Sequence, residues 1–121
     1  MFLRWLPAVV ISVFIFWLSA QTGPQLKTAG LDADDVHIIG HFWMFFFLCA
    51  AFYRGTKNVL VSIILSVIYA FTDEYHQKST FGRSSSFGDI LNDSVAAMVA
   101  GALIWSFYQK LPKILKNWLK A

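Results

Sequence analysis

Charge is what this sequence has least of. Asp, Glu, Lys and Arg make up 14% of its 121 residues, against about 25% in an ordinary soluble domain. That shortage argues against a water-soluble globule. Cysteine is nearly absent as well: Cys49 stands alone inside an apolar run, which excludes an internal disulfide and zinc-finger spacing. No internal repeat is present, and neither is an HExxH metal motif. The net charge is +3, yet the basic residues flank apolar segments instead of forming a face with aromatics, so no nucleic-acid partner is implied.

What fills the chain is apolar: 57% of residues are hydrophobic and 17% aromatic. A helix needs about 20 residues to cross the hydrocarbon, with a range near 17–25. Because lipid offers backbone groups no water partner, each apolar run should be helical. The reading is an all-α membrane protein, one domain over 1–121, with four transmembrane helices at about 5–20, 36–53, 59–76 and 87–108. The first and third runs are slightly short without their polar flanks, which suits tilting or local thinning. The first also has a competing reading as a signal peptide, with Arg4 before it and "LSAQ" after it; retention as a helix is the reading adopted. "QTGPQLKTAG" is expected to be a loop, "RGTKN" a tight turn and "KSTFGRSSSFG" a Gly/Ser-rich connection. In the final "QKLPKILKNWLKA", Leu111, Ile114, Leu115, Trp118 and Leu119 alternate with lysines at helical spacing, predicting a basic amphipathic helix on a membrane surface.

Basic residues orient the bundle. Arg4, Arg54, Lys57, Lys110, Lys113, Lys116 and Lys120 fall on one side, and Lys27, Lys78 and Arg83 on the other. Seven against three places both termini in the cytoplasm and the first and third loops outside.

The outward helix ends carry polar groups in register. Ser62, Ser66, Tyr69, Asp73 and Gln77 recur at three- and four-residue steps and share one face of the third helix. Asp89 and Asp93 are four apart on the fourth, with Asn92 beside them, and His37 and His41 are four apart on the second. An ionisable group at mid-membrane costs about 2.5–3.5 kcal/mol on insertion scales, so such residues turn toward partners or a wet cavity. Three stripes aimed at one leaflet imply a shared pocket of His41, Asp73, Glu74, Gln77, Arg83, Asp89 and Asp93, with His37, Tyr69 and Asn92 secondary. Each has a plainer role available. Asp73 and Glu74 could close the third helix, although acids there oppose its dipole and call for a cation such as Arg83. Asp89 could cap the fourth helix, and His37 and His76 could simply sit near water.

Three chemistries stay open from the residues. The histidines with Asp73, Glu74, Asp89 and Asp93 could form a mixed nitrogen–oxygen site for a divalent metal, although no cofactor is firmly implied. A histidine and a carboxylate could serve as general base and acid, with Arg83 clamping a phosphate or carboxylate. The same groups could instead form a hydrogen-bonded network that fixes helix packing and binds nothing.

The pattern resembles the VanZ-like family of small bacterial membrane proteins over about residues 12–104. The matching residues are "SAQ" at 19–21, His41-Phe42, "YAFTDEYHQ" with Asp73, Glu74 and Gln77, Gly82-Arg83, and Asp89 with Asp93. The block from Tyr69 to Asp93 is the specific part. The chain departs from the family pattern at His37-Ile38, where a basic residue or an acid–lysine pair is common, and at Met44, where some members carry Glu. Ala96, Ala97, Ala100 and Gly101 stand where glycines are frequent, and still permit close helix approach. The family name comes from glycopeptide-resistance clusters. The resemblance implies a role at the outer face of the membrane, among lipids, lipid-linked cell-wall precursors or a glycopeptide antibiotic such as teicoplanin. The reading inclines to a binding protein over an enzyme. A membrane-embedded hydrolase or transferase comes next, then a structural or partner subunit, and self-association is compatible with so small a core.

The charge count makes one direct prediction. Ser84→Cys should react with a membrane-impermeant thiol reagent added from outside the cell. Labelling from the cytoplasmic side alone would reverse the orientation.

Overall fold

A computed structural model describes residues 1–30, 34–80 and 87–121, with side chains at 34–37 excluded. The chain builds α1 (Phe2–Ser19), α2 (Gly23–Thr28), α3 (Asp34–Thr56), α4 (Val59–Lys78), α5 (Phe87–Phe107), a 3-10 turn (Tyr108–Lys110) and α6 (Lys113–Lys120). Four of these, α1, α3, α4 and α5, are long and apolar enough to cross a membrane. The protein is a multi-pass membrane protein. α1 has 18 residues, about 27 Å at 1.5 Å per residue, close to the ~30 Å hydrocarbon thickness. The polar flanks lengthen the outer elements as needed: α4 runs through Asp73, Glu74 and Gln77 to Lys78 before it ends.

Two expectations are corrected. The segment after α1 contains the short helix α2, because Thr22 accepts from the Gln25 N–H while the Gln25 side chain accepts from the Thr22 N–H, and Pro24 sits where its missing N–H is not needed. "RGTKN" is not a turn throughout: α3 continues to Thr56, and only Lys57 and Asn58 reverse the chain. Lys57 takes the left-handed conformation, φ 58°, and its N–H returns to the Tyr53 carbonyl at 2.8 Å, closing the helix. Asn58 then caps α4 by accepting from the Val61 N–H at 3.0 Å.

α3 is the central element, packed against α1, α4, α5 and α6. Its Phe45 and Leu48 meet Ile15 of α1, Ala70 of α4 and Ala96 of α5, all buried. Cys49 packs against Ala97 and Ala100. The outside of the bundle is the apolar part. Val9, Val13, Phe16, Phe47, Ile64, Ile68, Val95 and Leu103 are exposed, while Ser19, His41, Ser62, Ser66, Asp73, Glu74, Gln77 and Asp93 are buried. Apolar-out and polar-in is the arrangement a lipid solvent selects.

At one end the basic residues gather. Lys57 donates to the Leu119 carbonyl, Arg4 Nε to the carbonyl of Ala121 at 3.1 Å, and the Arg54 guanidinium lies 5.2 Å from the Trp118 ring centroid. Burial first, then the neighbouring charges of Arg4 and Arg54, holds the Lys57 amine below its ordinary pKa. α6 is therefore docked on the bundle through buried Leu119 while Ile114 stays 82% exposed. An amphipathic surface helix is present, with part of its apolar face spent on the protein itself.

The α4–α5 seam is tight at Gly101. A Cβ there would stand 2.5 Å from Ile63 Cδ1 and 2.8 Å from Ile63 Cγ1. Gly101→Val should cost about 1–3 kcal/mol by overpacking, read as a lower unfolding midpoint in detergent. An unchanged midpoint would show that the seam has slack.

Candidate functional site

The site lies at the end of the bundle opposite the basic cluster, and four helices build it. α4 supplies Asp73 and Gln77, one turn apart on the face that also buries Ser62 and Ser66. The two serines are satisfied locally, Ser62 Oγ on the Asn58 carbonyl at 2.6 Å and Ser66 Oγ on the Ser62 carbonyl at 2.8 Å. They therefore ask nothing of the site. α1 contributes its last residue, Ser19, α3 contributes His41, and α5 contributes Asp93, one turn in from its start. Ala96 and Ala97, fully buried, let α5 come close enough to bring Asp93 inward.

Asp73 is firmly held. Ser19 Oγ donates to its Oδ1, and Gln77 Nε2 donates to its Oδ2 at 3.2 Å and to Ser19 Oγ at 3.3 Å. The end of α1 is fixed in turn, since Thr80 Oγ1 donates to the Ser19 carbonyl at 3.2 Å. His41 Nδ1 stands 3.9 Å from Asp73 Oδ2 and 3.6 Å from Asp93 Oδ1. Its ring is stacked on Phe45, centroids 6.2 Å apart, and Phe45 is itself in the core. Asp93 differs from its neighbours. It is 1% exposed, and among the described residues neither carboxylate oxygen has a hydrogen-bond partner. Gln77 Oε1 is likewise buried without one.

Of the residues expected in a shared pocket, the structure brings His41, Asp73, Gln77 and Asp93 together. Glu74 follows Asp73 in α4 and is buried. Asp89 lies partly buried in the first turn of α5, where a carboxylate suits the positive helix end. Asn92 Nδ2 donates to the Ile38 carbonyl at 3.1 Å and ties α5 to α3. Tyr69 donates to the Ser12 carbonyl and packs on Phe45, so it braces α1 against α4 below the site. His76 is stacked on Phe16, centroids 4.3 Å apart. Arg83, and the side chain of His37, lie outside the described residues. One residue was not anticipated as part of the pocket: Ser19. The "SAQ" match was its only signal, because helical phasing within one segment cannot show which other helix it meets.

Among the described residues, three of the candidate metal donors converge. His41, Asp73 and Asp93 each offer one ligand atom, all within 4.8 Å of one another.

The profile of the VanZ/LLP1 family matches residues 3–109. The chain belongs to the VanZ/LLP1 family. The match takes in Ser19, His41, Asp73, Gln77 and Asp93 and ends before α6. No curated protein and no solved structure was found to match the chain.

The geometry separates residues that hold the site from those held for something else. Ser19→Ala removes a hydrogen bond to a buried carboxylate, worth about 1.5–3 kcal/mol, and should lower the unfolding midpoint in detergent by that equivalent. Gln77→Leu, which removes the hydrogen bond from Gln77 Nε2 to Asp73 Oδ2, should do the same. Neutral results for both would mean that Asp73 is not anchored as described.

Proposed function

We propose that this VanZ/LLP1 protein binds the headgroup of an amphiphile or of a lipid-linked anionic group at its polar cluster. In this reading the cluster faces outward and both termini are cytoplasmic. The observation that carries it is Asp93, a carboxylate buried in an apolar bundle with neither oxygen hydrogen-bonded. Burying a carboxylate without hydrogen bonds costs up to several kcal/mol, a cost that a ligand donating to it would offset. His41 and Asp73 face the same point, and Gln77 and Ser19 keep Asp73 from turning away.

Arg83, six residues before Asp89, supplies the cation for a phosphate or carboxylate through its planar fork of donors. Occupancy by an amphiphilic glycopeptide, or by the lipid-linked precursor that such an antibiotic targets, would lower sensitivity to teicoplanin. The pairing of His41 with two carboxylates favours one further reading, general acid–base catalysis at a headgroup. A purely structural network accounts for Ser19, Asp73 and Gln77 but leaves Asp93 without a purpose.

In a teicoplanin-sensitive bacterium expressing the chain, Arg83→Ala and Asp93→Asn should return sensitivity to that of cells lacking it, with each variant still present in the membrane. Full protection by both variants would overturn the headgroup site. Loss of both from the membrane would favour the packing network.

A further inference from the structure

A binding site for an anionic headgroup that is lined by two carboxylates presents an electrostatic difficulty. Arg83 is the cation proposed above for the headgroup; among the described residues one side chain that faces Asp93 is His41, 3.6 Å away, and it is cationic only when protonated. Two negative charges in a medium of low dielectric repel an incoming anion far more strongly than they would in water. The cluster has the composition that resolves this difficulty. It joins one imidazole nitrogen to two carboxylate oxygens contributed by three different helices, and one of those carboxylates has no hydrogen-bond partner.

We propose that His41 Nδ1, Asp73 and Asp93 bind a divalent transition-metal cation of the zinc or manganese class, leaving a coordination position open to an anionic oxygen of the headgroup. The inference deepens the headgroup reading and shares its site, but the ion's binding does not depend on that reading.

The distances are close to those required. Two donors each about 2.0–2.1 Å from a tetrahedral ion stand roughly 3.4 Å apart. His41 Nδ1 lies 3.6 Å from Asp93 Oδ1 and 3.9 Å from Asp73 Oδ2, so ligation asks these pairs to close by a few tenths of an ångström. The third separation lies within 4.8 Å, and a turn of the Asp93 carboxylate, which no hydrogen bond restrains, brings it in. A mixed nitrogen–oxygen set suits zinc or manganese, whereas calcium and magnesium favour all-oxygen cages.

The charges also balance. Two carboxylates carry the charge that a doubly charged ion needs, and a neutral imidazole adds none. The surroundings match what metal ligands require. Asp73 is oriented by Ser19 and Gln77, the supporting hydrogen bonds that ligating carboxylates normally carry. Three protein ligands with a fourth position open is the arrangement that leaves an ion free to take a substrate or ligand oxygen.

The test uses the full chain, purified in detergent, stripped with chelator and titrated with zinc chloride or manganese chloride alone. Binding is followed by calorimetry and by elemental analysis after dialysis. One ion per chain is expected. His41→Ala, Asp73→Asn and Asp93→Asn should each weaken binding at least 100-fold, with helicity confirmed by circular dichroism. Asp93→Asn is the decisive variant, because no hydrogen bond of the fold is lost with it. His76→Ala, whose ring is stacked on Phe16 and is not one of the three proposed ligands, should bind like the intact chain. Absence of stoichiometric binding, binding unchanged in Asp93→Asn, or binding lost in His76→Ala would each overturn the site. A second titration, with phosphatidylglycerol added to the metal-loaded and the chelated protein, separates the two readings. Lipid binding that survives chelation removes the ion's role and leaves the headgroup site. An ion bound without any lipid response leaves the metal site and removes the headgroup reading.

Discussion

Everything distinctive about this bundle follows from the burial of one carboxylate. Asp93 sits inside four apolar helices with no hydrogen bond to either oxygen. Lipid makes that placement more costly than it would be in water, since no solvent reaches the site to repair it. The neighbouring features are intelligible as the setting of this group. Ala96 and Ala97 thin α5 where it meets α3. Asn92 fastens the same turn of α5 to the Ile38 carbonyl, and His41 Nδ1 stands 3.6 Å from Asp93 Oδ1.

The two ends of the molecule divide the work. At one, Arg4, Arg54 and Lys57 hold α6 and the chain end against the bundle through backbone carbonyls and the Trp118 ring. At the other, Ser19, Gln77 and Thr80 lock α1 to α4 and set the direction of Asp73. Between them the interior is closed by small residues and aromatics, with Phe45 linking the ring of His41 to the core. The site is thus carried on transmembrane helices instead of a loop, and its geometry inherits their rigidity.

Much of this was readable in the amino-acid order. The four spans follow from apolar length alone, and the α4 stripe of Ser62, Ser66, Asp73 and Gln77 follows from a three- and four-residue rhythm that only one helical face can satisfy. The resemblance to the family rested on the same residues. What could not be read is relational. Nothing in the first helix says that Ser19 meets Asp73 on the third, because phasing orders residues around one axis and is silent about the neighbouring one. α2 escaped because a six-residue helix has too few turns to show periodicity; its signal was the Thr22–Gln25 capping box. Lys57 was legible as a turn residue but not as the left-handed closure of α3.

The central claim is that Asp93 is kept for a ligand and not for the fold. Its most direct measurement is the unfolding free energy of Asp93→Leu, compared with the intact chain in ligand-free detergent. Replacing an unbonded buried carboxylate by an apolar side chain of similar size removes a desolvation cost and no hydrogen bond. The account predicts stability equal to or above that of the intact chain. A loss of about 1.5–3 kcal/mol, the scale of a missing buried hydrogen bond to a charged group, would show that Asp93 holds the bundle together and would contradict it.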